Sequence, residues 1–267
     1  AVIATHADSD HIGGIPDVLA EYQVDRIIDS GEVKDTAACQ KYRTAAAKEP
    51  NCIFEYDEDM TIQIGNSSYL QIIETGDDYA DSNNNSVVAM LVYNNVKALF
   101  VGDMESEAER ANLPLFSDVD VLKAGHHGSS TSSCKEFLQV VKPEYVVISA
   151  GADNPYGHPK AQALCNFFDI NAKALGTFKS GDIVMTTNGV DYIFNTENFL
   201  TIEDAGAKSA NSGGNALNET VYIGNKNTKK FHKPTCRYAK NISAENIVYF
   251  KGGEQAVGYE PCKICNP

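Results

Sequence analysis

Long apolar stretches are missing from this sequence of 267 residues, and so is tryptophan. No run approaches the roughly 20 apolar residues that a helix needs to cross a bilayer, so the sequence predicts no membrane-spanning helix. No secretory signal peptide is recognisable, but the chain opens within AVIAT, an apolar segment typical of a strand. We therefore expect a preceding segment in the natural protein, which makes the missing signal uninformative about export.

Basic residues are the second shortage, because 22 Lys and Arg stand against 36 Asp and Glu and the net charge is −14. For the chain as a whole, this net charge argues against a polyanionic partner. The charge is not distributed evenly, however. Residues 216–267 contain eight basic and four acidic residues, whereas residues 1–215 contain 14 basic and 32 acidic residues. The asymmetry indicates a basic module attached to an acidic body. An acidic surface that only serves solubility explains the body equally well.

Internal repeats are absent, and the seven cysteines are unevenly placed, with three near the C-terminal end. The other four occur singly, which is typical of small buried apolar residues: Cys39, Cys52, Cys134 and Cys165. Residues 203–219, EDAGAKSANSGGNALNE, are rich in small and polar residues and show no hydrophobic period. We predict a domain over residues 1–200, a flexible linker over 201–219 and a small module over 220–267.

Within residues 1–200, short apolar runs alternate with helix-like segments. Residues 86–93 and 96–101 form the clearest strand pair, with an Asn-Asn turn between them. The predicted helices cover residues 15–22, 36–48, 105–112, 134–141 and 159–168. Helices that cover a mostly β core give a layered α/β domain.

The segment THADSDHIGG, residues 5–14, crowds two imidazoles and two carboxylates into six positions, which are His6, Asp8, Asp10 and His11. We expect this segment to form a loop between the first strand and the helix at residues 15–22. Four ligands this close cannot all reach one ion with good geometry, so alternate members divide naturally between two ions. The segment therefore predicts a two-metal site.

This segment resembles the metallo-β-lactamase-fold signature His-x-His-x-Asp-His, with Asp8 in place of the second His. That form is found in the hydrolase domain of the ComEC competence family. Four later segments resemble that family in the same order: NNNSVV, VGD, KAGHHGSS and NPYGHP, which start at residues 83, 101, 123 and 154. The resemblance covers residues 1 to about 195 and implies an α/β fold, the αββα sandwich. Because members of this fold have strands before the first motif, we expect a preceding segment or a partner to complete that half of the sandwich.

The resemblance also implies a role for each matching position. The implied metal ligands form two groups around a bridging carboxylate: His6 and Asp8 for one ion, Asp10, His11 and His126 for the other, and Asp103 between them. Asp10 would in addition steer or deprotonate the attacking water. His158 would act in catalysis at the substrate phosphate, with Lys123 and Ser129 as further contacts. Asn85 stands near the place of a third-motif His in other branches of the superfamily, and we expect it to contact the substrate rather than a metal ion.

Structural explanations stand beside several of these roles. In that case His158, Lys123 and Ser129 would form hydrogen bonds with groups of their own loops. His127 is more readily a structural neighbour of His126 than a ligand.

Two divalent cations would lower the pKa of a shared water towards 7 and stabilise negative charge in a transition state. Three Asp against three His make the predicted set richer in oxygen than a His-rich zinc site, so zinc and manganese are both candidate ions.

The C-terminal module contains His232-x3-Cys236 and Cys262-x2-Cys265, the pairwise spacing of a structural zinc site. About fifty residues do not easily build their own core, so a bound ion would stabilise a small α+β module. The spacing resembles the zinc-binding domain of the Ada repair proteins, with His232 in place of the first Cys. In Ada that Cys accepts a methyl group, which His cannot do, so methyl-transfer repair is not implied. A redox role for the Cys pair would leave His232 and Cys236 unexplained.

The same module carries a basic stretch interleaved with Phe231 and Tyr238. Its cations are Lys226, Lys229, Lys230, Lys233 and Arg237. Such a stretch suits phosphate backbones and exposed bases, and Lys229 and Lys230 are our candidate substrate contacts there. A solvated charged face is the alternative.

Our leading hypothesis is a metal-dependent phosphodiesterase or nuclease that acts on DNA, tethered to it by the terminal module. One alternative is hydrolysis of small esters, lactones or β-lactams by the same ions. Another is a nucleic-acid-binding protein whose hydrolase body is inactive. We expect an extracellular or cell-surface location, with the cytoplasm as the alternative.

Overall fold

A computed structural model describes most of the chain. The described residues are 1–76, 79–205, 221–233, 236, 238–239, 242, 246–251 and 257–265. Within these ranges, no helix combines the length and the apolarity that crossing a bilayer requires.

A three-stranded parallel sheet begins the fold. Its strands lie in the order β1 (Val2–Ala4), β2 (Arg26–Asp29) and β3 (Ile53–Tyr56). Parallel neighbours need crossover connections. The crossovers are helical, with α1 (Ser9–Ile12) and α2 (Ile15–Glu21) before β2 and α3 (Ala37–Ala46) before β3. α3 begins after Thr36, whose hydroxyl caps it by accepting a hydrogen bond from Cys39 N at 3.2 Å.

A seven-stranded sheet lies in the spatial order β10-β9-β8-β7-β6-β5-β4. Strands β4 to β7 pair antiparallel, and β7 to β10 pair parallel. The strands are β4 (Met60–Gly65), β5 (Ser68–Ile73), β6 (Val88–Tyr93), β7 (Val96–Phe100), β8 (Val121–Lys123), β9 (Tyr145–Ile148) and β10 (Lys173–Gly176). The parallel half is connected by helices α4 (Ser106–Ala111), α5 (Lys135–Val141) and α6 (Ala161–Asp169), and α7 (Thr177–Ser180) follows β10. A hairpin of β11 (Met185–Thr187) and β12 (Tyr192–Phe194) completes this part.

Alternating side chains divide the core into layers, because successive residues of a strand face opposite sides of the sheet. Ile72 of β5 shares a buried cluster with Ile28 of β2, between the two sheets. Ile73 faces the other way and lies in a cluster with Phe137 of α5. Ile27 of β2 packs among residues of α2 and α3. The layers are therefore helix, sheet, sheet, helix, which confirms the predicted αββα sandwich.

The five predicted helices and the strand pair all occur within two residues of their expected ends. The segment after β1 differs from the prediction, because the expected loop contains the helical turn α1. His11 N and Ile12 N each donate to Asp8 O at 3.0 Å, and these bonds close the turn. The predicted linker begins with a 3-10 turn at Ile202–Asp204, and its residues 206–219 lie outside the described residues.

The C-terminal module is built on a four-stranded sheet in the order β15-β13-β14-β16. The strands are β13 (Val221–Asn225), β14 (Lys230–His232), β15 (Ile247–Lys251) and β16 (Glu260–Pro261). Ile223, Cys236, Ala239 and Cys262 form its small buried cluster. This architecture agrees with the expected small zinc-stabilised module.

Candidate metal centre

Strands from the two different sheets end next to each other at one edge of the sandwich. β1 leads into His6 and β7 leads into Asp103. Between β7 and Asp103, Gly102 adopts φ +52°, and a Cβ there would lie 2.7 Å from Ser86 Cβ and 3.1 Å from Thr5 Cβ. Glycine alone permits both this backbone conformation and this approach. The residue type at 102 therefore allows the two strand ends to meet.

His6 and Asp103 present buried atoms that no described residue satisfies. Their exposed fractions are 1% and 4%. His6 Nδ1 lies 3.3 Å from Ser86 Oγ, whereas His6 Nε2 and Asp103 Oδ1 have no hydrogen-bond partner in the described part of the chain. A buried polar atom without a partner is costly. Ligation of a cation would remove that cost at both atoms.

The helical turn α1 brings Asp10 and His11 to the same point. His11 Nε2 lies 3.3 Å from Asp103 Oδ1 and 3.6 Å from Asp10 Oδ2. His6, His11 and Asp103 each offer one ligand atom, and these three atoms all lie within 4.8 Å of one another. The Asp10 side chain is 65% exposed, so it borders the solvent side of this group.

The His-His-Gly-Ser loop contributes two imidazoles. His126 and His127 both adopt left-handed backbone conformations, with φ 44° and 53°, which are uncommon for residues other than glycine and concentrate at functional sites. His126 Nε2 lies 3.8 Å from Asp103 Oδ2, and His127 Nε2 lies 3.4 Å from the same oxygen. Asp10, His11 and His127 form a second group of ligand atoms within 4.8 Å. The structure therefore places His127 near Asp103 and Asp10, although the sequence favoured a structural role for this residue.

The protonation states of His6 and Asp103 suit metal binding at neutral pH. Burial and the neighbouring His11 lower the pKa of His6 to about 4. Burial by itself would raise the pKa of Asp103, but attraction to the nearby His11 and His127 imidazoles outweighs it and holds that pKa well below its usual range. Neutral imidazole and carboxylate are the ligating forms, so these residues fit divalent ions. We call the following set the candidate metal centre: His6, Asp8, Asp10, His11, Asp103, His126 and His127.

Asp8 reaches this centre with one oxygen only. Its Oδ2 lies 3.8 Å from His6 Nε2, whereas Oδ1 accepts a hydrogen bond from Lys34. The Lys34 ammonium also donates to Ser82 Oγ at 2.8 Å and lies 3.6 Å from Glu32 Oε1. Lys34 therefore orients Asp8, a role that the sequence did not reveal because the contact spans 26 residues.

Glu105 is a second partner that the sequence did not reveal. Its Oε1 lies 2.9 Å from His126 Nδ1 and also accepts from the Thr131 hydroxyl. Glu105 N donates to Asn84 Oδ1 at 2.9 Å, which fixes the main chain there. A carboxylate behind a ligating imidazole sets the orientation of its ring. The only signal in the sequence is that Glu105 follows the VGD motif closely.

His158 lies next to the centre, as expected for a catalytic residue. Its ring centroid is 5.6 Å from that of His126, and its buried Nδ1 has no hydrogen-bond partner among the described residues. Burial and the neighbouring His126 lower the pKa of His158 to about 4. A neutral imidazole therefore borders the site at neutral pH.

The other predicted substrate contacts are engaged within their own loops. Lys123 donates to the carbonyl oxygen of the next residue at 2.9 Å, and burial lowers its pKa. Ser129 Oγ lies 2.9 Å from the Thr131 hydroxyl. The Asn85 amide exchanges two hydrogen bonds of 3.1 Å with the main chain of Tyr79. None of the three belongs to the groups of ligand atoms found among the described residues.

The four predicted zinc ligands of the terminal module come together. His232, Cys236, Cys262 and Cys265 offer ligand atoms that all lie within 4.8 Å of one another. Cys236 Sγ lies 3.4 Å from His232 Nδ1, and all seven cysteines of the chain are free thiols. One imidazole and three thiolates are the donor set of a structural zinc site.

Positive charge is exposed on the same module. Lys229 Nζ lies 5.0 Å from the ring centroid of Tyr259, and Lys230 is exposed on β14. Lys226 and Lys233 are also exposed, whereas Arg237 lies outside the described residues.

Family models match both parts of the chain. The metallo-beta-lactamase superfamily matches residues 1–152, and the metal binding domain of Ada matches residues 211–267. These matches, together with the curated relatives below, confirm the resemblances to the ComEC family and to the Ada domain.

Three curated proteins are similar to parts of the chain. ComE operon protein 3 of Bacillus subtilis (strain 168) is 32% identical over 185 residues, which cover 68% of this chain and 24% of that protein. Competence protein ComA of Neisseria gonorrhoeae is 42% identical over 84 residues, 30% of this chain and 12% of that protein. Recombination protein 2 of Haemophilus influenzae is 25% identical over 183 residues, 68% of this chain and 21% of that protein. The chain thus spans less than a quarter of the length of these relatives.

Proposed function

Because the chain belongs to the metallo-beta-lactamase superfamily, we propose that this hydrolase is a metal-dependent phosphodiesterase whose substrate is DNA. The observation that carries the proposal is the donor set of the candidate metal centre, in which three carboxylates and four imidazoles meet at the strand ends. Carboxylates supply hard oxygen ligands for ions that act on phosphate esters, and imidazoles are suitable ligands for zinc. Two similar proteins are named for competence and for recombination, which supports DNA as the substrate.

Each ligand has an assigned place in this proposal. His6 and Asp8 would hold one ion, and Asp10 and His11 would hold the other. Asp103 would be a ligand of both ions, and an imidazole of the His-His pair would complete the ligands of the second ion. When bound, the two ions would lower the pKa of a water molecule and stabilise negative charge on a phosphate ester.

The remaining chemistry belongs to the side chains around the ions. Asp10 is exposed enough to accept a proton from the attacking water. His158, neutral at pH 7 and bordering the centre, would donate a hydrogen bond to a phosphate oxygen. Lys34 and Glu105 would hold Asp8 and His126 in their ligating orientations.

The terminal module would supply affinity for the backbone of the substrate. Its exposed lysines offset the acidic body, and contacts between lysine and phosphate account for much of the sequence-independent binding of DNA. A zinc ion bound to His232, Cys236, Cys262 and Cys265 would keep the sheet folded that carries Lys230 and the turn with Lys229.

A nuclease assay on metal-loaded protein tests the proposal. We expect cleavage of single-stranded or duplex DNA, and we expect Asp103→Asn and Asp10→Ala to lower the rate by about a hundredfold or more. Asp118→Asn is the matched control, because Asp118 is exposed and pairs only weakly with Lys142, at 3.7 Å. DNA binding without cleavage by the wild type would contradict the proposal and leave a binding protein with an inactive body.

One observation favours a second candidate, hydrolysis of small neutral or cationic esters and lactones. A cavity of about 520 Å³ is lined in part by Glu32, Asp57, Glu58 and Glu74, which would repel a polyanion. Turnover of a simple lactone far above that of any phosphodiester would favour this candidate.

A further inference from the structure

Tyr156 combines high exposure with a fixed place beside the candidate metal centre. Its side chain is 71% exposed, and its ring lies nearly parallel to that of His158, with an interplanar angle of 16° and a centroid distance of 5.9 Å. His158 in turn lies against His126. Of the Phe and Tyr rings in the described part of the chain, Tyr156 is the one that contacts a histidine of this region.

The loop that carries Tyr156 is held in place by its own hydrogen bonds. Asn154 accepts from His158 N and donates to His158 O, both at 2.8 Å. Lys160 N donates to Gly128 O at 2.8 Å, which ties the end of this loop to the His-His-Gly-Ser loop. Single exposed aromatic residues are common on protein surfaces, so the feature that distinguishes Tyr156 is its position against His158.

Charge differs between two sides of the centre. Beyond Lys34, the partner of Asp8, Glu32 lines a cavity together with Asp57, Glu58 and Glu74, and these carboxylates disfavour phosphate there. On the side of His126 and His158, the Lys160 ammonium donates to the main-chain carbonyl of Tyr156, which places a positive charge in the same loop as the exposed ring. A cation and an aromatic ring in one loop complement a nucleotide, since the ammonium suits the phosphate and the ring suits the base.

We propose that Tyr156 stacks on a nucleobase adjacent to the scissile phosphate, and that the substrate is therefore single-stranded DNA rather than a paired duplex. This inference rests on the proposed phosphodiesterase activity and assigns its substrate class. Bases in a duplex are stacked on one another and are closed to such a contact. Stacking tolerates any base, because each base has a π face, so we expect little sequence preference.

Paired oligomers separate a base contact from a backbone contact. One oligomer is single-stranded oligodeoxythymidylate, and the other has the same length and backbone but abasic sugars. We expect Tyr156→Ala to lower kcat/KM on the base-bearing oligomer by roughly tenfold and to leave the abasic oligomer unchanged. Tyr156→Phe keeps the ring and should behave as the wild type. Tyr22→Ala is the matched control, because Tyr22 is 70% exposed at the end of α2, away from the centre.

Equal loss of activity on both oligomers would overturn the proposal and would mean that the ring only covers His158. A wild type that prefers duplex to single strands would overturn it too. Binding of both oligomers, measured by fluorescence anisotropy, distinguishes a failure of the stacking contact from a failure of the proposed nuclease activity. Base-dependent binding that needs the Tyr156 ring, without any cleavage, would support the stacking contact and contradict the proposed nuclease. Cleavage and binding that are both indifferent to the Tyr156 ring would contradict the contact alone.

Discussion

Asp103 contacts imidazoles from two separate segments of the candidate metal centre. Its oxygens lie within 3.3 to 3.8 Å of imidazole nitrogens from His11, His126 and His127. These imidazoles come from α1 and from the loop after β8, so a single carboxylate connects groups far apart in the sequence. Because Asp103 is 4% exposed and one of its oxygens has no hydrogen-bond partner among the described residues, a cation is the natural complement.

Glu105 provides a residue-scale prediction, because it contacts the centre only through His126. We expect Glu105→Gln to weaken metal binding by about tenfold to a hundredfold, since the amide is a poorer acceptor for the imidazole N–H that orients the ring. Calorimetric titration of metal-free protein with Mn²⁺ or Zn²⁺ measures this affinity. Glu107→Gln is the control, because Glu107 lies two residues further on and its one hydrogen bond within the described part of the chain is a long one, of 3.4 Å, from the Asn84 amide. Equal affinities for Glu105→Gln and the wild type would show that His126 needs no such partner.

At the scale of elements, a buried carboxylate caps α5 from another helix. Glu109 of α4 is fully buried and accepts hydrogen bonds from Ser133 N at 2.6 Å and Cys134 N at 2.7 Å. These donors are otherwise unsatisfied groups at the start of α5. Burial nevertheless raises the pKa of Glu109 from 4.5 to about 7.

This raised pKa predicts a pH dependence of stability. Folding favours the protonated form of Glu109. Its stabilising contribution to the free energy of unfolding is therefore complete below pH 4.5 and is lost as the pH rises through 7. At roughly 1.4 kcal/mol per pKa unit, the loss amounts to about 3 kcal/mol. Urea unfolding from pH 4.5 to 8 should show the free energy of unfolding of the wild type falling relative to that of Glu109→Gln. Glu21→Gln, at an exposed position, should run parallel to the wild type. A pH-independent difference between wild type and Glu109→Gln would contradict this assignment.

The contrast between α1 and the longer helices shows what could be predicted from sequence. The longer helices carry a periodic apolar face, and Thr36 adds a cap, so their ends could be predicted within two residues. α1 has only four residues, too few for a period, and its formation depends on the strand before it.

The proposed ligands show the same division. His6, Asp8, Asp10 and His11 could be predicted because they are crowded together in the sequence, whereas Asp103 and His126 were implied by the resemblance to the ComEC family. Lys34 and Glu105 could not, because their contacts cross 26 and 21 residues and exist only once the two sheets have packed. The position of His127 near Asp103 could not be predicted, because two consecutive left-handed residues are rare and only the folded loop brings both rings near that carboxylate.

At the scale of the whole molecule, charge is divided between an acidic body and a basic module. Salt dependence tests this division. If Lys230 contacts a phosphate, Lys230→Gln should lower the slope of log K against log salt for single-stranded DNA by about 0.7. Lys48→Gln, at an exposed position of the body, should leave the slope unchanged. Equal slopes for Lys230→Gln and the wild type would exclude that contact.

The number of metal ions per chain tests the central claim most directly. Elemental analysis of the intact protein, dialysed after loading with Zn²⁺ or Mn²⁺, should give three ions: two in the candidate metal centre and one in the terminal module. Asp103→Asn should retain one ion, and Cys262→Ser should retain two. A single ion in the intact protein, or an Asp103→Asn variant that keeps all three, would contradict a two-ion centre that shares this carboxylate.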